Sequence, residues 1–78
     1  MSSLIDGKPG EKLRIGRIGL LGRQRRRLLE MGLLPGTAIT VAGVGAFGGR
    51  IVRIGDARIA VDAGTARSIG VRRESARE

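Results

Sequence analysis

Residues 51–61 read IVRIGDARIAV, which is two short apolar runs on either side of a Gly-Asp pair. A two-residue loop at positions 55–56 predicts a tight β-hairpin of the I′ or II′ type. Apolar residues alternate with others along each run, so one face of the hairpin is apolar and packs against a core. Four branched side chains line that face: Val52, Ile54, Ile59 and Val61.

The same register places Arg53 directly opposite Arg58 on the outer face of the hairpin. Like charges in opposite positions destabilise a sheet. The pair is therefore a candidate contact for an anionic or acidic surface that bridges the two side chains. The alternative is that two long side chains splay apart in water.

The segments outside the hairpin add further strands and one long helix. Residues 12–18 and 37–44 have the alternation typical of strands with one buried face, and a last strand runs through Ile69 and Val71. Residues 45–49 form a Gly-rich loop that carries Phe47, the chain's one aromatic residue. Asp62 is placed to cap a single helical turn over residues 63–67.

Residues 22–31 have the pattern of an amphipathic helix that ends at Gly32. The apolar face consists of Leu21, Leu28 and Leu29, with the stem of Arg25 between them. The opposite face carries Arg23, Arg26, Arg27 and Glu30. Cations crowd the first turn, where the helix dipole favours anions, so this face is a candidate ligand surface. The alternative is a solvated face on which Glu30 pairs with Arg26 or Arg27.

About five short strands and one α-helix predict an all-β fold, a small SH3-like barrel whose closure removes exposed edges. An OB fold usually needs longer strands and more residues. We expect one domain over residues 1–78, with a core of about residues 4–72 and a frayed tail at 73–78.

Composition excludes several classes of function. The chain of 78 residues has a net charge of +8, which favours an anionic partner. It has neither cysteine nor histidine, so disulfides, zinc fingers and Cys or His catalysis are excluded. We find neither a membrane-spanning apolar run nor a signal peptide, and expect a cytoplasmic protein.

Residues 25–37, RRRLLEMGLLPGT, resemble the FeoA family, ferrous iron transport protein A. The order of strands, helix, Gly-containing loop and hairpin also matches, as does the terminal stretch ARSIGV at residues 66–71. The resemblance covers about residues 4–72. One departure is the loop before the hairpin, where the family usually carries an Ala-Pro-Leu-Gly-Asp-Pro-like sequence. Here Ala46 and Arg50 replace the two prolines, which predicts a more mobile loop.

The resemblance implies an SH3-like barrel in the bacterial cytoplasm that binds FeoB, a membrane ferrous-iron transporter with a cytosolic GTPase domain. Recruitment to the inner face of the membrane and contact with anionic lipid follow as further expectations. The same fold also occurs as the C-terminal module of metal-dependent repressors. A repressor module without its DNA-binding domain is therefore another interpretation of this chain.

We expect this protein to hold no iron itself, because ferrous iron prefers imidazole and carboxylate ligands and the seven carboxylates are scattered. No cofactor and no catalytic residue is expected, although an arginine finger from α-helical Arg23, Arg26 or Arg27 is an open alternative. The candidate partner-binding residues are Arg23, Arg26, Arg27, Leu33, Leu34, Phe47, Arg53 and Arg58.

The alternative function is a non-enzymatic nucleic-acid-binding barrel. The net charge permits phosphate contacts, but a single aromatic residue leaves no stacking platform for unpaired bases. We therefore expect nucleic acid to bind only non-specifically at low salt. The sequence leaves open whether the protein forms homo-oligomers, and whether it activates, inhibits or assembles its transporter.

Overall fold

The computed structural model describes residues 2–74. Its strands are β1 (Ser2–Ser3), β2 (Lys12–Ile18), β3 (Ala38–Val44), β4 (Arg50–Ile54), β5 (Ala57–Val61) and β6 (Ile69–Arg73). Its helices are α1 (Gly22–Glu30) and the short α2 (Ala63–Arg67), and 3-10 turns occupy Leu4–Asp6 and Ala46–Gly48. All strand pairs are antiparallel, in the order β1-β6-β2-β3-β4-β5. The predicted fold class is confirmed, with the two-residue β1 as an additional strand. The expected removal of exposed edges by closure is wrong for residues 2–74, because β1 and β5 lie at the two ends of the sheet and do not pair with each other.

The sheet wraps around one apolar core of thirteen buried side chains. The core takes residues from β2 to β6 and from α1, and it includes Leu4 from the N-terminal 3-10 turn, which is fully buried. Because no polar or charged side chain is buried among residues 2–74, burial of apolar surface is the main stabilising term of this fold.

The hairpin has the register that the sequence predicts. Val52 pairs with Ile59 and Arg53 with Arg58. Gly55 has φ +58° whereas Asp56 has a negative φ, which defines the II′ form of the turn. Val52 and Val61 are buried, and Ile54 and Ile59 pack against the core while half-buried.

Helix α1 ends as predicted and begins differently. The N–H of Gly32 donates to Leu29 at 3.0 Å and the N–H of Leu33 donates to Leu28 at 3.0 Å, the two bonds of a Schellman motif. At the other end, Leu21 is the N-cap in an extended conformation and is 85% exposed. The prediction that Leu21 belongs to the apolar face is wrong, because an extended residue lies outside the helical register.

Residues 73 and 74 take part in the fold, contrary to the prediction. Arg73 pairs with Leu13 inside the sheet, and Glu74 accepts two hydrogen bonds from the guanidinium of Arg14, at 3.0 and 2.9 Å. The expectation of a frayed tail is therefore wrong for residues 73–74. Residues 75–78, the rest of that predicted tail, lie outside the described part of the chain.

Arg50 joins the loop before the hairpin to the N-terminal segment. Its guanidinium donates to the carbonyls of Ile5 (2.7 Å), Gly7 (2.8 Å), Gly48 (2.6 Å) and Gly49 (3.1 Å). Arg50 stands where the related family sequence usually has a proline. In the structure its side chain donates two hydrogen bonds to loop carbonyls and two to the N-terminal segment, and so connects the two.

Candidate partner-binding surface

The three arginines predicted on the outer face of α1 lie together and in contact with solvent. Arg23, Arg26 and Arg27 are exposed, and Arg25 is half-buried as expected for a side chain with a packed stem. The ion pairs between residues 2 and 74 are Arg14–Glu74 and Arg73–Glu11. The three guanidinium groups are therefore available to an outside anion.

The start of α1 adds to this positive potential. Its first turn holds no acidic residue, and its N-cap provides no side-chain hydrogen bond to the free backbone N–H groups. The dipole places partial positive charge at this end of the helix. Cations at this position raise the electrostatic cost of the helix, and an approaching anion lowers that cost.

A groove of about 270 Å³ runs between α1 and strand β5. Its apolar lining comes from Leu20, Leu28, Met31, Ala60 and Val61, and its polar rim from Gln24, Arg27, Asp62 and Thr65. Met31 is 41% exposed, so part of this apolar lining is open to solvent. Arg27 lies in the rim, so this apolar surface adjoins the α1 arginines. The groove is not apparent in the sequence, because it joins residues some thirty to forty positions apart.

The two leucines after α1 separate into different environments. Leu34 is 46% exposed and remains a candidate for partner contact. Leu33 is fully buried, so its assignment to the partner-binding surface is wrong. The Schellman motif turns Leu33 back onto Leu28, and the burial of an apolar side chain there stabilises the helix end.

Phe47 projects fully into solvent from the loop between β3 and β4. Its φ of +54° lies in the left-handed region, which is unfavourable for a bulky residue. The loop around it is closed by the Gly45 N–H, which donates to Gly49 at 2.8 Å, and by the Arg50 contacts. Gly49 has no space for a side chain, since an added Cβ would lie 2.6 Å from the carbonyl oxygen of Val61.

A second basic region crosses the outer face of the sheet. Lys12 pairs with Thr40, Thr40 with Arg53, and Arg53 with Arg58, so four residues on neighbouring strands form one row. The three cations of this row are exposed. Arg53 and Arg58 are predictable from the hairpin, whereas Lys12 is not, because its position in the row depends on the register of β2 on β3.

Asp62 and Glu74 are two carboxylates that hydrogen-bond within the fold. Hydrogen bonds from the side chain and then the backbone of Thr65 lower the pKa of Asp62, which caps α2 as predicted. The hydrogen bond from Arg14 is the main cause that lowers the pKa of Glu74. Within residues 2–74 no three potential metal-ligating side chains form a group.

The architecture is that of a small SH3-like domain, and it carries an exposed basic surface on α1. A Stenotrophomonas maltophilia FeoA, solved with zinc and described as a procaryotic SH3 domain protein, has the same fold. It is 22% identical, with a TM-score of 0.75 over 92% of this chain and 91% of that one.

The FeoA domain model matches residues 3–73, and the chain belongs to the FeoA family. An iron uptake regulatory protein (FeoA) is 32% identical, with a TM-score of 0.82 over 94% of this chain and 96% of that one. Iron(II) transport protein A from Clostridium thermocellum is 29% identical, with a TM-score of 0.83 over 91% of this chain and 44% of that one. No curated protein sequence is significantly similar. No helix between residues 2 and 74 is long and apolar enough to cross a bilayer.

Proposed function

We propose that this protein is a cytoplasmic accessory factor of bacterial ferrous iron uptake, and that it modulates transport by binding the transporter FeoB. The observation that carries the proposal is the FeoA domain match over residues 3–73. The S. maltophilia relative is described as a candidate ferrous iron transport activating factor, which supports the same role here.

The contact surface that we propose consists of Arg23, Arg26 and Arg27 on α1, together with the exposed side chains of Leu34 and Phe47. Exposed cations steer an acidic partner into encounter and set orientation, whereas exposed apolar side chains lose their hydration on binding and stabilise the complex. Arg53 and Arg58 form a second candidate contact on the sheet face. Such a division of roles suits a regulatory protein, which must find its partner quickly and release it.

An amide NMR titration of the labelled protein with the cytosolic GTPase domain of FeoB tests this proposal. The ionic strength is kept near the physiological value, where exposed charges are screened beyond about 8 Å and weak non-specific attraction is suppressed. We expect shifts to concentrate on the α1 arginines and on the loop around Phe47, with little change at Arg17 and Arg72. Absence of any shift would overturn a contact with this domain.

A parallel titration with duplex DNA distinguishes the nucleic-acid alternative. Binding that depends on phosphate neutralisation falls steeply with salt, by about 10³ or more between 50 and 200 mM for six or more phosphate contacts. We expect binding at low salt and its loss at physiological salt. Tight binding that persists at physiological salt would favour nucleic acid as the true partner.

A further inference from the structure

Strand β5 (Ala57–Val61) lies at the end of the sheet, paired on one side with β4. In a hairpin with a two-residue loop, the residues that flank the loop exchange hydrogen bonds, and alternate residues do so thereafter. Ile54 and Ala57 flank the loop here, so Ala57, Ile59 and Val61 bond to β4. The N–H and C=O groups of Arg58 and Ala60 consequently point away from β4, toward the free edge.

The free edge opens onto the groove beside α1. Ala60 and Val61 line the groove from the side of β5, and Leu28 and Met31 line it from α1. Arg58 and Ala60 are exposed, and their backbone groups make no hydrogen bond to another described element. An extended segment laid along β5 would meet backbone partners on one side and apolar surface on its inner face.

The charges around this edge select an acidic occupant. Arg58 extends from the outer face of β5 beside Arg53, and Arg27 stands at the rim of the groove. Asp62 is the carboxylate in the lining, and it accepts hydrogen bonds from the backbone and side chain of Thr65. A second copy of this chain is the poorer occupant, because each chain carries +8 and would bring another Arg58 to the same edge.

We propose that β5 accepts an acidic, extended segment of a partner protein as an additional antiparallel strand. Side chains on the inner face of the added strand enter the groove against Leu28 and Met31. Those on its outer face, opposite Arg58 and Ala60, are acidic and pair with Arg58. Backbone hydrogen bonds to Arg58 and Ala60 hold the strand in register. This inference deepens the proposed function and rests on it for the identity of the partner.

The probe is the synthetic peptide acetyl-EVEVEVE-amide, in which valines share one face of a strand and glutamates the other. Opposite residues of an antiparallel pair have side chains on the same face, so glutamates face Arg58 and Ala60 and exchange hydrogen bonds with them. Two matched peptides carry three N-methyl groups each, one peptide at its last three glutamate amides and the other at its three valine amides. Their side chains and charges are identical, so they differ only in which backbone donors are lost.

At physiological salt, the parent and valine-methylated peptides should bind and slow hydrogen exchange of the Arg58 and Ala60 amides at least tenfold. The glutamate-methylated peptide should bind at least tenfold more weakly. Equal binding of both methylated peptides would overturn the proposal, because charge alone would then explain the affinity. Protection of the Ala60 amide that rises with protein concentration in the absence of peptide would also overturn it, in favour of a second copy.

Ala60→Pro provides a test from the side of the protein. Proline is tolerated on an edge strand where the lost N–H faces outward, so the variant should keep its fold and thermal midpoint. The variant should no longer bind the parent peptide, and unchanged binding would contradict the proposal. If the cytosolic GTPase domain of FeoB fails to bind while the peptide still protects Ala60, the proposed contact with that domain is rejected and the strand-accepting edge remains. If that domain binds while the peptide does not protect Ala60, only the strand-accepting edge is rejected.

Discussion

Two groups of arginines in this molecule have opposite surroundings. The guanidinium of Arg50 donates four hydrogen bonds to backbone carbonyls, and that of Arg14 donates to Glu74 and to the carbonyl of Gly36. The arginines of α1, Arg23, Arg26 and Arg27, are exposed and make no such bond within residues 2–74. The positively charged side chains of this protein therefore include one group that hydrogen-bonds within the fold and another that is exposed to solvent.

The difference separates charge that builds the fold from charge that faces a partner. Arg50 connects segments that the sheet alone does not join, and its loss would leave carbonyls of Ile5 and Gly7 without that donor. Loss of an α1 arginine leaves no fold contact unsatisfied and relieves repulsion at the helix start. Substitution of Arg50 should consequently affect stability, whereas substitution of the α1 arginines should affect binding.

The largest effect is expected at Leu33 and Leu34, which show the same contrast between a side chain that builds the fold and one that is exposed. Leu33→Ala removes a fully buried side chain and leaves a cavity, so the free energy of unfolding should fall by about 3 kcal/mol. Leu34→Ala, at a half-exposed position, is the matched control and should change it by about 0.5 kcal/mol or less. Urea unfolding followed by circular dichroism measures both. Similar losses for the two variants would contradict the assignment of Leu33 to the core.

Arg50→Ala should lower the free energy of unfolding by about 2 kcal/mol, since hydrogen bonds from a charged donor are lost and partly buried carbonyls remain. Arg53→Ala is the control on the same strand, and should not lower stability, because it relieves the repulsion from Arg58. Thermal unfolding compares the two variants. If Arg53→Ala were the more destabilising change, the division between structural and surface arginines would be wrong.

Phe47→Asn should raise the free energy of unfolding by about 1 kcal/mol, because asparagine tolerates the left-handed conformation that strains phenylalanine. Phe47→Ala removes the ring without relieving that strain and should bring no comparable gain. Both variants should bind the FeoB domain more weakly. A destabilised Phe47→Asn variant would show that the ring supports the loop instead of a partner contact.

The smallest effect concerns pH. Hydrogen bonds from Thr65 hold the pKa of Asp62 below its ordinary value in the folded chain. Between the folded and the ordinary pKa the unfolded chain binds more protons, so this stabilisation is present above about pH 4 and is lost as the pH falls through the folded pKa. Asp62→Asn should weaken the dependence of the urea midpoint on pH in this acidic range. An unchanged dependence would assign it to other carboxylates, such as Glu74.

Local pairing made much of the fold predictable. The hairpin, the cap at Asp62 and the end of α1 at Gly32 depend on residues within about ten positions of one another. Contacts between distant segments were not predictable in the same way. The burial of Leu4, the contacts of Arg50 with Ile5 and Gly7, and the pairing of β1 with β6 all depend on how the sheet closes around its core.

The candidate surface was also predictable only where it depends on local sequence and not on contacts between distant segments. The exposure of Arg23, Arg26 and Arg27 follows from helical periodicity, which the sequence displays directly. Lys12 joins Arg53 and Arg58 only through two strand registers, and the groove joins α1 to β5 across the fold. Leu33 and Leu34 are chemically identical neighbours, so only the Schellman geometry distinguishes the buried one from the exposed one.

The most direct test compares two variants that each lose three positive charges, one from α1 and one from other surface positions, so that both have the same net charge. One variant carries Arg23→Gln, Arg26→Gln and Arg27→Gln, and the other carries Lys8→Gln, Arg17→Gln and Arg72→Gln at exposed positions outside α1. Affinity for the cytosolic GTPase domain of FeoB is measured at physiological salt. The account predicts a loss of about tenfold for the α1 variant, equivalent to about 1.4 kcal/mol, and less than about threefold for the other. Equal losses would contradict it, because net charge and not the α1 surface would then govern binding.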